Sequence, residues 1–230
     1  MGLFMNILAI ETATPACAMG LATSAGEELS LLVDDERHHT EALTPGIREL
    51  LRRVALSPKS IDRVVVDRGP GLFTGLRVGI ATAIGFAMGA SAELVGVTSL
   101  ELLAHGAYSA GVRGTLVSCV DGRRGEVFIQ TFSLEDDVAA RGGPSVAVPG
   151  DVAAAWIRSA VSLTFTGDGV ARYESGFRSI ENATIFEQLV PSPIEALRLG
   201  ARRPAEVEIA PLYLRESDAV ANFSTRQRLP

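Results

Sequence analysis

Two acidic residues stand at the ends of predicted apolar strands, and they are the first side chains in this sequence that could do chemistry. Glu11 follows the apolar run 6–10, and Asp121 follows the apolar run 114–120. In both places a short turn leads into a returning strand, so each carboxylate lies at the tip of a predicted β-hairpin. The Glu11 carboxylate can cap its turn by accepting hydrogen bonds from Thr12 or Thr14. The same unit therefore occurs twice, carboxylate included.

A glycine-rich loop between a predicted strand and a predicted helix is the second candidate. Gly69, Gly71 and Gly75 can adopt backbone angles closed to other residues, and Thr74 can cap the helix that follows. Backbone amides at such a helix start can bind an anion. The spacing fits neither the Walker A loop nor the dinucleotide-binding pattern, and Lys59 is the single lysine of the chain. On shape alone, a plain connection and a binding loop are equally compatible with this pattern.

The turn of the second hairpin contains Arg123 and Arg124. These guanidinium groups could grip a carboxylate or a phosphate from a partner, or they could simply lie in solvent. Cys17 and Cys119 lie far apart in apolar runs, which is typical of reduced core thiols. His105 has no histidine at ligand spacing, so we predict no metal site.

Composition restricts the functional classes. The chain has 230 residues, 47% of them hydrophobic, which is enough for one large domain or two small ones. Its formal net charge of −6 argues against binding nucleic acid unaided. The N-terminus lacks the features of a signal peptide, and the uncharged stretch 78–92 is shorter than the roughly 20 residues that a membrane span needs. We expect a cytoplasmic protein without a membrane segment.

The predicted helix 75–90 is unusually rich in small residues. Gly75, Gly79 and Ala83 recur at four-residue spacing, with a second stripe at 81, 85 and 89. Each glycine costs about 1 kcal/mol of helix stability relative to alanine. Close approach of the backbone to another helix or to a sheet would offset that cost. The pattern therefore predicts a buried or interface helix.

The remaining pattern predicts two α/β halves. The first half contains a helix 40–55, which begins or kinks at Pro45, a strand 63–67, a strand 95–97 and a helix capped by Ser99 that runs to His105. The second half contains a loop 136–149, a helix 150–160, a strand 163–166, a short helix 195–200 and an extended segment 210–214. We divide the chain into an N-terminal lobe at 1–104, a smaller C-terminal lobe at 105–221 and a polar tail at 222–230.

Acidic hairpins repeated in tandem resemble the two-lobed actin-like ATPase architecture, a duplicated RNase H-like α/β fold. In order and spacing, five segments resemble the TsaB family: 7–14, 69–79, 96–100, 121–127 and 211–215. The resemblance covers nearly the whole chain, and the glycine-rich segment is its most specific part. It implies a degenerate nucleotide site and a role in forming threonylcarbamoyladenosine in tRNA.

The resemblance also implies partners. TsaB proteins pair with the catalytic paralogue TsaD and assemble with the ATPase TsaE, and they self-associate when alone. We therefore expect a non-catalytic subunit that contacts tRNA only through the complex and has no intrinsic cofactor, with nucleotide bound only at the partner interface. In TsaD two histidines bind the catalytic metal, and Ser99 and Leu103 stand at the matching positions here. Neither residue is a suitable metal ligand.

The family assigns two groups of residues in this chain. The partner interface comprises His39, Leu43, Ile47, Gly75, Arg77, Gly79, Ala83 and Phe86. The degenerate phosphate-loop region comprises Glu11, Thr12, Gly69, Gly71, Thr74, Asp121, Arg123 and Arg124. Glu11 matches the acid that orients a magnesium-bound water in ATP-hydrolysing relatives. We expect Gly79→Leu to leave the protein folded and to block pairing with TsaD.

Two alternatives remain open at this point. A stand-alone ATPase or small-molecule kinase of the actin-like superfamily would need intact phosphate loops and an adenosine-binding turn, which only residues 167–169 suggest. A metallopeptidase, the activity behind the old label "glycoprotease", would need metal ligands that three histidines and two separated cysteines do not supply.

Overall fold

Two five-stranded sheets with the same strand order form the framework of the chain. The computed structural model describes residues 5–33, 39–156 and 162–215; the predicted tail 222–230 lies outside them, as do the side chains of residues 39 and 153–156. The first sheet contains β1 (Ile7–Glu11), β2 (Cys17–Ala22), β3 (Glu28–Val33), β4 (Arg63–Asp67) and β5 (Glu93–Val97). The second contains β6 (Gly114–Arg123), β7 (Glu126–Leu134), β8 (Val138–Ala147), β9 (Leu163–Thr166) and β10 (Ala183–Phe186).

Strand order and direction repeat between the two sheets. The first runs β3-β2-β1-β4-β5 and the second β8-β7-β6-β9-β10. In each sheet the three strands that follow one another in sequence pair antiparallel, and the two later strands add on parallel. This is the RNase H-like topology in duplicate, so the predicted two-lobed, actin-like α/β fold is confirmed. We call the sheet β1–β5 with its helices the first lobe, and the sheet β6–β10 with its helices the second lobe.

Helices cover the sheets and connect the two lobes. They are α1 (His39–Arg53), α2 (Phe73–Ala90), α3 (Ser99–Ser109), α4 (Pro149–Trp156), α5 (Asp168–Arg172), α6 (Glu174–Arg178) and α7 (Pro193–Gly200), with a 3-10 turn at Pro58–Ser60. α1 and α2 pack on one face of the first sheet, whereas α7 packs on the other face beside α3. α3 also packs on the second sheet. The predicted lobe boundary at 104/105 falls inside α3 and stays a prediction.

The glycine-rich helix α2 turns one of its two small-residue stripes inward. Gly75, Gly79 and Ala83 are buried against the first lobe, and a Cβ at Gly79 would lie 2.2 Å from Thr12 Oγ1. Close approach to the sheet and its turn therefore explains these glycines. At 18 residues and a mean hydropathy of 1.3, α2 is the one helix of the described ranges with the length and composition of a membrane span. Its inner face packs against β4 and β1, as a core helix does.

The structure corrects several predicted helix ends. α2 starts at Phe73 after Leu72, whose side chain makes no capping bond, so Thr74 lies in the first turn and does not cap the helix. Thr98 caps α3 through a reciprocal capping box with Glu101, so Ser99 is not the cap. α1 begins at His39 and includes Pro45. Residues 157–160 of the predicted helix 150–160 lie outside the described residues.

A strand replaces the predicted loop 136–149. β8 is mostly exposed and pairs only with β7, with a register shift opposite the segment between Ile129 and Thr131. An exposed edge strand needs no apolar alternation, and its Gly-Gly-Pro sequence at 142–144 is typical of a loop. The predicted extended segment 210–214 is not part of either sheet.

Four residues near the end of the described chain join the two lobes, and we call them the connecting segment, Leu212–Arg215. The amide of Leu212 donates to the Arg68 carbonyl of the first lobe at 2.7 Å. Leu214 packs against the apolar cluster of the second lobe. Arg215 Nη1 donates to Glu126 Oε2 at 2.6 Å, also in the second lobe.

Candidate functional site

The first lobe places two carboxyl groups side by side at the ends of parallel strands. Ile10 of β1 is in register with Val66 of β4, so the next residues, Glu11 and Asp67, are neighbours on adjacent strands. Both side chains are completely buried. β1 and β4 are central strands, and the ends of central parallel strands are the usual place for ligand sites in α/β sheets.

One oxygen of each carboxyl group is hydrogen-bonded and the other is not. Glu11 Oε1 accepts from the Ala13 amide at 2.8 Å. Asp67 Oδ1 accepts from the Gly69 amide at 2.7 Å and from Ser99 Oγ at 3.0 Å. Glu11 Oε2 and Asp67 Oδ2 have no hydrogen-bond partner among the described residues. Burial, and then the charge of Asp67, raise the pKa of Glu11 well above its usual range. Burial also raises the pKa of Asp67 to about 7.

The glycine-rich loop closes over this carboxyl pair. The Leu72 amide donates to the Ala13 carbonyl at 2.7 Å. A Cβ at Gly71 would lie 2.2 Å from the same carbonyl oxygen. Thr12 Oγ1 donates to the Gly75 carbonyl at 2.8 Å and so holds the start of α2 on the turn. The two loops therefore occupy the space next to the carboxyl pair themselves.

In the second lobe, arginine side chains lie next to the strand-end acid Asp121. Asp168 Oδ1 accepts from the Asp121 amide at 2.9 Å, and burial raises the pKa of Asp168. Asp121 Oδ2 lies 3.3 Å from Arg123 Nη1 and 3.5 Å from Arg172 Nη1. These two guanidinium groups are 45% and 51% exposed, whereas the Asp121 carboxylate is almost fully buried. Two half-exposed arginines therefore contact the same carboxylate, that of Asp121, near the turn between β6 and β7.

Asp67 lies in the first-lobe site, and Asp168 and Arg172 lie in the second-lobe site; the sequence analysis did not single out Asp67 or Arg172 and named Asp168 only within the segment 167–169. Asp67 ends β4, and Asp168 follows β9 after one glycine. An acid directly after an apolar run that precedes a helix was the available signal for both. Arg172 lies in the five-residue helix α5 and carries no such signal. Of the predicted arginines, Arg123 and Arg124 have left-handed backbone angles, φ 61° and 55°, which for side-chain-bearing residues are sterically costly.

The acids do not fit the magnesium ion that nucleotide-hydrolysing members of the fold use. In the described ranges, no group of three or more histidine, cysteine, aspartate or glutamate side chains is arranged to bind a metal. Magnesium keeps several waters and needs ionised carboxylates, whereas Glu11 and Asp67 are sealed and have raised pKa values. Ser99 Oγ donates to Asp67 Oδ1 at 3.0 Å, and Leu103 lies in the apolar core.

The residues predicted for the partner interface differ in their exposure. The His39 side chain lies outside the described part of the structure. Phe86 is half-buried and packs on the core, and Arg77 is exposed. The others face inward and are buried in the first lobe: Leu43, Ile47, Gly75, Gly79 and Ala83. Because a Cβ at Gly79 would lie 2.2 Å from Thr12 Oγ1, the structure argues against the expectation that Gly79→Leu leaves the fold unperturbed. The interface role itself stays a prediction.

The opposite side of α2 is open, and we call it the outer face of α2: Phe73, Arg77, Ala81, Gly85, Met88 and Gly89. A Cβ at Gly85 or at Gly89 would meet nothing within 4 Å. Met88 is 78% exposed and Phe73 is 37% exposed. Arg77 Cζ lies 3.9 Å from the centre of the Phe73 ring, and Arg77 Nε donates to the Tyr213 hydroxyl at 3.0 Å.

Comparison with known proteins agrees with this architecture. The model of the TsaD family, described as tRNA N6-adenosine threonylcarbamoyltransferase, matches residues 34–154, which is over half of the chain. The TsaB protein of Escherichia coli K12 is 34% identical over 137 residues, which are 58% of this chain and 57% of that protein. The TsaB protein of Bacillus subtilis is 26% identical over 237 residues, which are 97% of this chain and all of that protein. The chain belongs to the TsaD family, and within it to the TsaB proteins.

The alignments span a little over half the length of the first relatives, whereas solved structures match more of the chain. A Pseudomonas aeruginosa protein described as similar to peptidase YeaZ superposes with a TM-score of 0.79 at 28% identity, covering 92% of this chain and all of that one. YeaZ from the same organism superposes with a TM-score of 0.72 at 27% identity, covering 85% and 90%. The predicted TsaB family is therefore confirmed, and both lobes are common to these structures.

Proposed function

We propose that this chain is a non-catalytic subunit in the biosynthesis of threonylcarbamoyladenosine in tRNA and acts by pairing with a TsaD-type enzyme. The E. coli and B. subtilis relatives are named for this pathway. The main support for a non-catalytic role is the complete burial of the carboxyl pair Glu11–Asp67. Both groups have zero exposure, and the chain's own loops fill the adjoining space.

The second lobe supports the same proposal. A nucleotide phosphate bound beside the β6–β7 hairpin would meet Arg123 and Arg172, which are already held by Asp121. The turn presents arginine side chains where a small residue would allow close approach of the backbone. We therefore propose that the chain has no intrinsic cofactor and that any nucleotide binds only at the partner interface.

The outer face of α2 is the surface that we assign to the partner. It combines exposed apolar side chains, Phe73 and Met88, with small residues that let another helix approach closely. The same surface would pair two copies of the chain when the partner is absent. Assembly with the ATPase TsaE and contact with tRNA then follow through the TsaD complex, in the cytoplasm.

Reconstitution tests this proposal. Modification of tRNA is measured with the cognate TsaD and TsaE proteins and threonylcarbamoyl-adenylate, with and without this chain, and ATP hydrolysis by the chain alone is measured in parallel. We expect modification to require the chain and the chain alone to hydrolyse nothing. Activity of TsaD without it, together with ATP turnover by the chain alone, would instead identify a stand-alone ATPase or kinase.

A pair of matched variants locates the partner surface. Met88→Asp places a charge on the outer face of α2, and Leu32→Asp places one on β3, where Leu32 is 54% exposed. Both side chains already contact water, so both variants should fold. We expect Met88→Asp to abolish pairing with TsaD in size-exclusion chromatography and Leu32→Asp to retain it. The reverse pattern would move the interface away from α2.

A further inference from the structure

Arg77 is held in one orientation at the start of the outer face of α2. Its guanidinium lies over the Phe73 ring, with Cζ 3.9 Å from the ring centre. Its Nε donates to the Tyr213 hydroxyl at 3.0 Å. The two rings also contact each other, with centroids 5.2 Å apart. The cation–π contact and the hydrogen bond together restrict the position and rotation of the guanidinium.

This arrangement leaves the other edge of the guanidinium unused. Within the described residues, neither Nη atom of Arg77 donates to an acceptor or forms an ion pair, and the side chain is exposed. The Nη edge of a guanidinium is a planar pair of donors that matches a carboxylate or a phosphate. Because the group is already ordered, binding such an anion costs little additional side-chain entropy.

Arg113 provides an internal comparison in the second lobe. Its Cζ also lies 3.9 Å from the centre of an aromatic ring, that of Tyr108. Its Nη1, however, donates to two carbonyl oxygens of its own chain, those of Tyr108 and Val112, at 2.9 and 2.7 Å. The distance to the ring is the same in both places, but within the described residues Arg113 donates to its own chain through Nη1, whereas neither Nη atom of Arg77 does.

The surroundings of Arg77 favour a protein over a nucleic acid. A nucleic-acid surface needs several uncommitted cations along it. The arginines that bind or belong to the connecting segment are already paired, Arg68 with Glu206 and Arg215 with Glu126. Instead, Arg77 borders the apolar and small residues of the outer face of α2. One oriented arginine beside exposed aromatic rings is typical of a binding hot spot in a protein–protein interface.

We propose that the Nη edge of Arg77, oriented by Phe73 and Tyr213, binds an aspartate or glutamate carboxylate of the partner protein. This inference rests on the proposed pairing with a TsaD-type protein. The inference specifies that the contact between Arg77 and the partner is a bidentate arginine–carboxylate pair at the Phe73 end of the outer face of α2. Tyr213 is then a positioning residue, because it acts on the anion only through Arg77.

Titration calorimetry with the cognate TsaD protein tests the inference. We expect Arg77→Ala to weaken binding about 30-fold and Arg77→Lys about tenfold, since lysine keeps the charge but not the planar pair of donors. Tyr213→Phe keeps the ring and removes the acceptor for Nε, so we expect a loss of about threefold. Arg113→Ala is the matched control and should bind within about twofold of wild type.

Salt provides a readout that a merely structural role would not change. Raising the ionic strength should weaken wild-type binding more than Arg77→Ala binding, because only the wild type has the charged pair to screen. Thermal unfolding of every variant controls for folding. If Arg77→Ala does not fold, Arg77→Lys and Tyr213→Phe still decide the question, because both retain a side chain of similar size.

The outcomes separate this inference from the function on which it rests. If wild type binds TsaD and both Arg77 variants bind equally well, the inference is wrong and the proposed function stands. If wild type does not bind TsaD, the proposed function is wrong and the inference fails with it. If Arg77→Ala weakens binding of the isolated chain to tRNA but not to TsaD, the anion is an RNA phosphate and the carboxylate assignment is overturned.

Discussion

The two lobes place acidic residues at equivalent ends of the same strands, Glu11 and Asp67 in the first lobe and Asp121 and Asp168 in the second. Burial raises the pKa of Asp168 as it does those of the first-lobe pair, so the contrast lies between the hairpin acids Glu11 and Asp121. In the first lobe, Glu11 and Asp67 are fully buried, and burial raises their pKa values. In the second lobe, Asp121 faces two half-exposed guanidinium groups, those of Arg123 and Arg172. The duplicated topology therefore keeps the positions of the acids, while the hairpin acid of each lobe has different partners.

The two lobes fill the space beside their hairpin acids in different ways. In the first lobe the chain closes on itself, because the glycine-rich loop packs against the turn after β1. In the second lobe the turn stays near solvent, and arginine side chains take up the charge of the acid. If this comparison is correct, equivalent changes in the two lobes should have different sizes and even opposite signs.

The largest expected effect is on the pH dependence of stability. A buried acid whose pKa is raised stabilises the fold in its protonated form, so its contribution is complete below the ordinary aspartate value near 4 and is lost as pH rises through about 7. For Asp67 the loss is on the order of 4 kcal/mol between pH 4 and pH 8. Asp67→Asn should remove this loss, as measured by urea unfolding across that range relative to wild type.

Removing the charge of Asp121, the second-lobe counterpart of Glu11, should have the opposite sign. At pH 8 Asp67→Asn should raise the free energy of unfolding, whereas Asp121→Asn should lower it by about 1 kcal/mol, because two guanidinium groups lose their shared carboxylate. Equal signs for the two variants would mean that the lobes do not differ in the way described.

The second largest effect concerns packing of the two turns. A Cβ at Gly71 would lie 2.2 Å from the Ala13 carbonyl oxygen, which is backbone and cannot rotate away. Gly71→Ala should therefore destabilise the fold by about 3 kcal/mol in chemical denaturation. Gly122→Ala in the second lobe, with its Cβ 3.1 Å from the Glu126 carbonyl oxygen, should cost about 1 kcal/mol. Similar losses of stability for Gly71→Ala and Gly122→Ala would show that the turn after β1 is packed no more tightly than the turn between β6 and β7.

A third pair of variants compares the two sides of α2. Gly79→Ala places its Cβ 2.2 Å from Thr12 Oγ1, which can move as part of a side chain, so we expect a loss of about 2 kcal/mol. Gly85→Ala on the outer face meets nothing within 4 Å and should stabilise the helix by about 0.5–1 kcal/mol. Thermal unfolding measures both changes in stability. If Gly79→Ala stabilised the protein, α2 would not be tightly packed against the turn after β1.

The smallest effect is expected at the arginines of the second lobe. Arg123 and Arg172 are half-exposed, and each contact with Asp121 is longer than 3 Å. Single alanine variants should each lose about 0.5 kcal/mol at pH 7. The double variant leaves a buried carboxylate without its cations and should lose more than the sum of the two. Additive losses in denaturant titrations would show that the two arginines do not share the carboxylate.

Sequence reasoning predicted the features that depend on local pattern. The acidic hairpins at Glu11 and Asp121, the strand before the glycine-rich loop and the helix after it are all present in the structure. Strand β8 was missed because an exposed edge strand buries little, and its sequence therefore lacks the alternation that would reveal it.

Features that depend on tertiary contacts could not be predicted in the same way. Both stripes of α2 consist of small residues, so the sequence did not show that Gly79 faces the core and Gly85 faces outward. Asp67 and Glu11 are 56 residues apart in sequence, and only the parallel pairing of their strands makes them neighbours. Tyr213 reaches Arg77 across 136 residues, which no periodicity encodes.

The connecting segment sets a limit on motion between the lobes. Leu212 is bonded to the first lobe and Arg215 to the second, and three residues of backbone span at most about 10 Å. A short tether that is bonded at both ends restricts hinge motion of one lobe relative to the other. Tyr213, whose hydroxyl accepts from Arg77 Nε, lies within this tether, so the position of Arg77 depends on how the two lobes are joined.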